Sequence, residues 1–207
     1  MNVYILTDQW TPGKNTLAYY PLTTSSTVND MSWNNRNLTK YWSCTFWTYQ
    51  WVSCLYLPWS ESSYLKYNWD SGTYYNFTMS FYYYCMDVWN WSNILYSNDN
   101  WVFVNPSNQP RFSWANNIPN TPSITNSWKH IVCVANWSVA KIYINGVAYS
   151  WDWQTWRYIS TVVELSWTGS GHSSKWYVSN IIIENRPRTA EQVVWYYNQT
   201  KSLYWIS

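Results

Sequence analysis

The chain has 207 residues, 47% hydrophobic and 11% charged, with Lys+Arg 12 against Asp+Glu 10 for a formal net charge of +2. That apolar content excludes a disordered polypeptide and provides for a sizeable core, while the missing basic stripe excludes an electrostatic grip on nucleic acid. No apolar run approaches the roughly 18–20 residues of a membrane span, so no membrane insertion is expected, and Met1–Asp8 lacks the basic start and apolar stretch of a signal peptide.

In chain order, residues 1–14 follow no strand or helix pattern and read as a linker or N-terminal extension, leaving 15–207 as one expected domain. Short runs of β-branched and aromatic residues then recur between Asn, Ser, Asp, Thr and Pro. They predict strands at Leu17–Leu22, Val52–Leu57, Ser63–Tyr67, Phe77–Tyr83, Asn93–Tyr96, Trp101–Val104 and Arg111–Ala115. Further strands are expected at His130–Ala135, Val139–Ile144, Val147–Tyr149, Ile159–Leu165 and Tyr177–Glu184. In Lys141-Ile142-Tyr143-Ile144-Asn145 polar and apolar positions alternate, as a half-buried strand requires. Asn145-Gly146 is a hairpin dipeptide because both residues tolerate φ > 0, so 130–149 reads as an antiparallel meander. One helix is predicted, where Thr189-Ala190-Glu191-Gln192 spells a capping box and Val193, Val194, Tyr196 and Tyr197 supply an apolar face; it should end near Gln199. A dozen short strands and one short C-terminal helix specify an all-β protein, a two-sheet antiparallel jelly-roll sandwich.

Tryptophan is the anomaly: 20 Trp stand beside 5 Gly, where average usage gives roughly 14 Gly. Asn68-Trp69, Asn90-Trp91, Asn100-Trp101 and Asn136-Trp137 place Trp where a turn wants glycine, as do Ser32-Trp33-Asn34-Asn35, Pro58-Trp59-Ser60 and Ser166-Trp167-Thr168-Gly169. Either these rings are stacking platforms for sugars, or most of them are glycine codons, UGA in a reassigned code, read as tryptophan. The second explanation is favoured, since it restores both counts to the range of a β-sandwich. Trp128, opening the strand Trp128-Lys129-His130-Ile131-Val132, reads as genuine, and Trp195 on the helix fits either explanation.

Three motifs occur in a telling order. Leu17-Ala18-Tyr19-Tyr20-Pro21-Leu22 is followed by Asn29-Asp30-Met31-Ser32-Trp33-Asn34-Asn35; Trp128-Lys129-His130-Ile131-Val132 by Lys141-Ile142-Tyr143-Ile144-Asn145-Gly146; and Trp176–Ile183 by Asn185-Arg186 and Thr189-Ala190-Glu191-Gln192. With glycine in mind at positions such as Trp33 and Trp176, this series resembles the laminin-G-like, concanavalin A-like lectin/glucanase family. The resemblance implies a concanavalin A-like jelly roll that binds a glycan or a surface protein without catalysis. It also implies an extracellular, cell-surface or virion-associated setting.

Catalytic members of that superfamily carry an E-x-D-x-x-E strand that lines up two carboxylates on one face. Here the ten acids are scattered with no such spacing, which speaks against a hydrolase. Three functions stay in play, in this order: a glycan-binding or adhesion module, a structural or protein-binding sandwich, and a divergent glycosidase. For ligand binding the loops Asp87–Asn93 and Trp151–Trp156 come first, with Asp87, Asn90, Asn93, Asp152 and Gln154 as candidate residues. Asp30 and Asn34 carry the hard oxygens of a structural Ca²⁺ site, against an Asx-turn that serves its own backbone; the latter is preferred, and no other cofactor is indicated. Cys44, Cys54, Cys85 and Cys133 lack the spacing of a zinc site, and a Cys44–Cys54 disulfide depends on the compartment. His130 reads as a packing residue and His172 as a loop residue. Sequons at Asn37, Asn76, Asn90, Asn136 and Asn198 are ascribed to composition.

Overall fold

A computed structural model describes residues 12–22, 28–41, 44–58, 64–68, 73–88, 92–97, 100–105, 107–112, 121–137, 139–151, 159, 162–165 and 174–206. Among the described residues there are fourteen strands: β1 Thr16–Tyr20, β2 Thr39–Tyr41, β3 Thr45–Tyr49, β4 Val52–Leu57, β5 Tyr64–Asn68, β6 Asn76–Val88 and β7 Ser92–Ser97. The rest are β8 Asn100–Val104, β9 Pro110–Phe112, β10 Trp128–Asn136, β11 Val139–Ile144, β12 Val147–Trp151, β13 Val162–Leu165 and β14 Ser174–Glu184. Helix α1 spans Ala190–Thr200 and runs into a 3₁₀ turn, Lys201–Tyr204. The larger sheet has the order β12-β11-β10-β6-β14-β4-β3, with β1 also paired to β14; the smaller runs β2-β5-β13-β7-β8-β9. Among the described residues every pair of these strands is antiparallel. The two-sheet antiparallel sandwich with one short C-terminal helix is therefore the fold.

Side-chain alternation builds the core. Phe77, Met79, Phe81, Tyr83 and Cys85 of β6, with Ile131 and Cys133 of β10, meet Leu65, Ile94, Val102, Val104 and Leu165 of the smaller sheet in one apolar cluster. The opposite face of the larger sheet is covered by the C-terminus. Val193 packs with Val132, Val134 and Tyr143, while Tyr196 and Tyr204 join Tyr82, Tyr84, Trp128 and Ile182. Burying each such side chain contributes about 1.5–3 kcal/mol. The helix begins as expected: Thr189 Oγ1 accepts from the Gln192 amide and Gln192 Oε1 accepts from the Thr189 amide. The 130–149 meander forms as well, in the order β10-β11-β12. Its Asn145–Gly146 loop has φ 52° and 78°. Gly146 is doubly constrained, since a Cβ there would stand 3.0 Å from Tyr197 Cδ1 of the helix.

Several expectations need correction. β2 and β3 had no sequence signal: β2 is only three residues, and in β3 hydrophobic Phe46, Trp47 and Tyr49 are interleaved with threonines on an edge strand. Asn100-Trp101 is the start of β8 rather than a turn. Trp176, grouped with misplaced glycines by the motif, is 1% exposed in the middle of the inter-sheet core and packs against Tyr83. Cys44 and Cys54 are not bridged. Cys44 lies in the inter-sheet cluster and Cys54 on the opposite face of the larger sheet, so no bond could join them without turning a strand over. The 1–11 segment, Trp69, Trp91, Trp59, Trp167 and His172 lie outside the described residues.

Candidate functional site

Of the predicted ligand residues, Asp87 and Asn93 are placed in strands of different sheets. Asp87 is in β6 of the larger sheet, in register with Lys175. Asn93 is in β7 of the smaller sheet, opposite Phe103. Asn90, Asp152 and Gln154 lie outside the described residues. Residues 89–91, between these two strands, also lie outside the described residues.

Asp30 and Asn34 do meet, in a turn that closes on β1. Asp30 Oδ1 accepts from the amides of Tyr19 and Ser32, both at 2.8 Å. Its Oδ2 accepts from Ser32 Oγ at 2.7 Å and the Arg36 amide at 2.9 Å. Asn34 turns its Nδ2 to the carbonyls of Thr16 and Leu17 at 2.8 and 3.1 Å. A calcium ion needs oxygen lone pairs, and here four donors hold those of Asp30 while Asn34 offers N–H. The residues present do not fit a cation; they fit an Asx-turn pinning 28–38 to the first strand. Among the described residues no three of His, Cys, Asp and Glu gather as a metal would require.

Histidine 130 is likewise structural. It is fully buried, its Nε2 lies 2.9 Å from Ser80 Oγ, and Tyr82 stacks on its ring at 4.7 Å. Burial and then the Arg188 guanidinium lower its pKa from 6.5 to about 3, so it is neutral at ordinary pH. A nucleophile–base pair sealed beneath a helix has no route to substrate. Around it Tyr82 bonds Thr200, Arg188 pairs with Glu184, and Asn180 Nδ2 donates to Tyr196 Oη at 2.6 Å, tying α1 to the sheet. Asn180 reaches the helix because a bulge in β14 places it at φ 55°.

The outer face of the smaller sheet is different. Leu65 and Leu165 point into the core, so Tyr64, Lys66 and Glu164 point away from it. Register aligns Thr39, Lys66, Glu164, Tyr96 and Trp101 as one row across β2, β5, β13, β7 and β8. Two residues along, Tyr41 faces Tyr64, and their rings stack at 4.4 Å and 12°. The Lys66 ammonium stands 3.7 Å from Glu164 Oε2. Glu164 is only 4% exposed, while Lys66 is partly open to solvent. Burial, then Tyr41 and Glu164, raise the Tyr64 pKa, which keeps its hydroxyl protonated. The face thus combines an aromatic stack and a partly open ammonium beside a carboxylate that is itself buried. Glu164 sat unnoticed among the scattered acids, because its neighbours Tyr41, Tyr64 and Lys66 come from about 98 to 123 residues earlier and meet it only by pairing. Asp30 holds its hydrogen bonds at β1, Glu184 pairs with Arg186 and Arg188, and Glu191 lies on α1. These three described carboxylates are thus held away from Glu164.

No family model matches the chain, and no curated protein matches it. Solved structures do. Domain 4 of AbnA, a GH43 extracellular arabinanase from Geobacillus stearothermophilus in complex with arabinotriose, has a TM-score of 0.70 at 12% identity, covering 88% of this chain and 98% of that one. The botulinum neurotoxin serotype G binding domain has a TM-score of 0.67 at 16% identity, covering 91% and 52%. The serotype D ligand binding domain in complex with N-acetylneuraminic acid has a TM-score of 0.64 at 15% identity, covering 89% and 51%. The chain spans about half the length of these neurotoxin domains. At such identities the likeness is one of fold, and it agrees with the sandwich described above.

Proposed function

We propose that the chain is a non-catalytic carbohydrate-binding module, a laminin-G-like sandwich over 15–207 belonging to a larger secreted, surface or virion protein, and that it takes its glycan on the outer face of the smaller sheet. The observation that carries this reading is the Tyr41–Tyr64 stack beside the Lys66–Glu164 pair. A flat ring covers the apolar face of a sugar, and the partly open Lys66 ammonium offers a donor to its hydroxyls. The sugars named with two structurally similar domains support it. Among the described residues no helix is long and apolar enough to cross a membrane. A glycan array followed by calorimetry on the best binder tests the proposal. Tyr64→Ala should lower affinity about tenfold or more, the loss of a ring contact and its hydroxyl, while losing only about 0.5–1.5 kcal/mol of stability with the Tyr41 stack. An array without binders, together with a stable oligomer, would favour the protein-binding alternative.

We also infer that most turn tryptophans are glycine in the natural polypeptide, encoded by UGA. Trp51, Trp137 and Trp205 have φ of 66°, 28° and 54°, and are 86%, 51% and 72% exposed. Trp51 follows Gln50, at φ 48°, in a two-residue loop between β3 and β4, the type I′ turn that favours glycine second. Trp205 caps the 3₁₀ turn in the left-handed conformation, where glycine is the usual residue. The coding DNA discriminates: UGA at 51, 137 and 205 with UGG at Trp128 and Trp176 supports the inference, and UGG at all five overturns it.

A further inference from the structure

Independently of the glycan reading, we infer that residues 190–206 form an acid-released cover: protonation of the buried His130 lifts α1 and its 3₁₀ turn from the larger sheet while the inter-sheet core stays folded. The imidazole is fully buried between β6 and the helix. Tyr82 of β6 stacks on it at 4.7 Å, and Tyr196 and Tyr197 of α1 lie 5.4 and 6.0 Å away between ring centroids. Its Nε2 lies 2.9 Å from Ser80 Oγ, whereas its buried Nδ1 has no hydrogen-bond partner among the described residues. A neutral imidazole tolerates this, with its proton on Nε2 toward Ser80 and Nδ1 left as a bare acceptor. An imidazolium does not, because both nitrogens must then donate and Nδ1–H meets no described acceptor.

The charges on the surrounding elements oppose the proton as well. Arg188, which precedes the Thr189 cap, adds a like charge, and its guanidinium stands 5.1 Å from the same Tyr196 ring. Glu184 of β14 supplies one negative charge, already shared between Arg186 and Arg188. Lys201 lies over Tyr197 at 5.7 Å, and Glu191 of the first helical turn acts on Tyr143 of β11. The other titratable neighbours, Tyr82, Tyr143, Tyr196, Tyr197 and Tyr204, are phenols, a class neutral between pH 5 and 7. The cover is also the separable part of the molecule. Val193, Tyr196 and Tyr204 pack on the face opposite the inter-sheet cluster. Its ties to the sheet include Tyr82 with Thr200, Asn180 with Tyr196 and Ser179 with Tyr204, polar groups that water satisfies once the segment opens. A terminal element held in this way opens at a lower free energy than the whole fold. Opening returns the imidazole to water, where it takes a proton at its ordinary pKa, so acid favours the open form and uncovers Tyr82, Tyr84 and Trp128.

Hydrogen exchange read by mass spectrometry on the full chain tests this at pH 7 and pH 5, with rates corrected for intrinsic exchange. Both values lie above the ordinary carboxylate range, so histidine titration dominates the interval. With His130 titrating near 3 when covered and near 6.5 when open, protection of the amides of 190–204 should fall about 25-fold, while β6 and β14 keep theirs. His130→Gln and His130→Leu should each abolish that fall. Tyr196→Phe removes the tie to Asn180 but not the titration, so it should lower protection by the same factor at both pH values. Unchanged protection of α1 at pH 5 overturns the inference, as does a fall that persists in either folded His130 variant. Loss of protection in β6 and β14 in step with α1 overturns it too, since the whole molecule would then be opening rather than its cover.

Discussion

Replacing Trp51 by glycine should stabilise this protein, although the substitution deletes the largest side chain there is. The residue sits at φ 66° in the Gln50–Trp51 loop and its indole is 86% exposed. An L-residue in the left-handed region costs about 1–2 kcal/mol, from which glycine is exempt. Glycine gives back about 0.5–1 kcal/mol through the greater freedom of the unfolded chain. With almost no packing to lose, the balance is a gain of about 0.5–1 kcal/mol. Trp205→Gly, at φ 54° and 72% exposed, should gain a similar amount. The two sites belong to separate elements, so the double variant should gain about 1–2 kcal/mol, or about 2–8 °C for a chain of this size. Trp137 is the instructive intermediate: its ring stacks on Tyr75 at 4.5 Å, so relief of strain and loss of the stack should nearly cancel. Trp176→Gly supplies the contrast, because that indole is 1% exposed in the core and its removal should cost at least about 3–5 kcal/mol. Urea unfolding followed by circular dichroism measures all four. The reasoning fails if Trp51→Gly and Trp205→Gly destabilise, or if Trp176→Gly is tolerated like them.

Acid should loosen the protein in a defined window. The buried His130 titrates near 3 when folded and near 6.5 when unfolded, so the unfolded chain binds the extra proton between those values and stability falls as pH drops below about 6.5. The loss approaches about 1.4 kcal/mol per pH unit, about 2 kcal/mol at pH 5, and His130→Gln should flatten the slope in denaturant titrations at pH 7, 6 and 5. Thr189→Ala removes the hydroxyl half of the capping box and should cost about 1 kcal/mol, read from the same unfolding curves. The four cysteines are buried thiols, with burial raising Cys44 to about 11 and Cys54 to about 12; a thiol reagent at pH 8 should leave all four unmodified in the native protein and label them once it is unfolded. Rapid labelling of the folded chain would contradict that burial.

Local chemistry was legible in the chain as written. A run of strand-forming residues marked β4 to the residue, and alternation marked β11, whose Val139 and Lys141 are exposed while Ala140 and Ile142 are buried. Asn145-Gly146 announced its hairpin, and Thr189 with Gln192 announced the helix, because both signals act between residues only a few positions apart. Trp51 and Trp176 show where local reading stops. Both stand in the same string of improbable tryptophans, yet one strains an exposed turn and the other fills the core; the difference lies in what packs around each, which neighbours in sequence do not reveal. The outer-face site belongs wholly to the second kind. Tyr41, Tyr64, Lys66 and Glu164 form no motif, and they become a surface only when β2, β5 and β13 pair in register. Short-range forces determine which segments become strands, turns and helix; the joining of distant strands, set by burial across the whole sandwich, decides which side chains share a face.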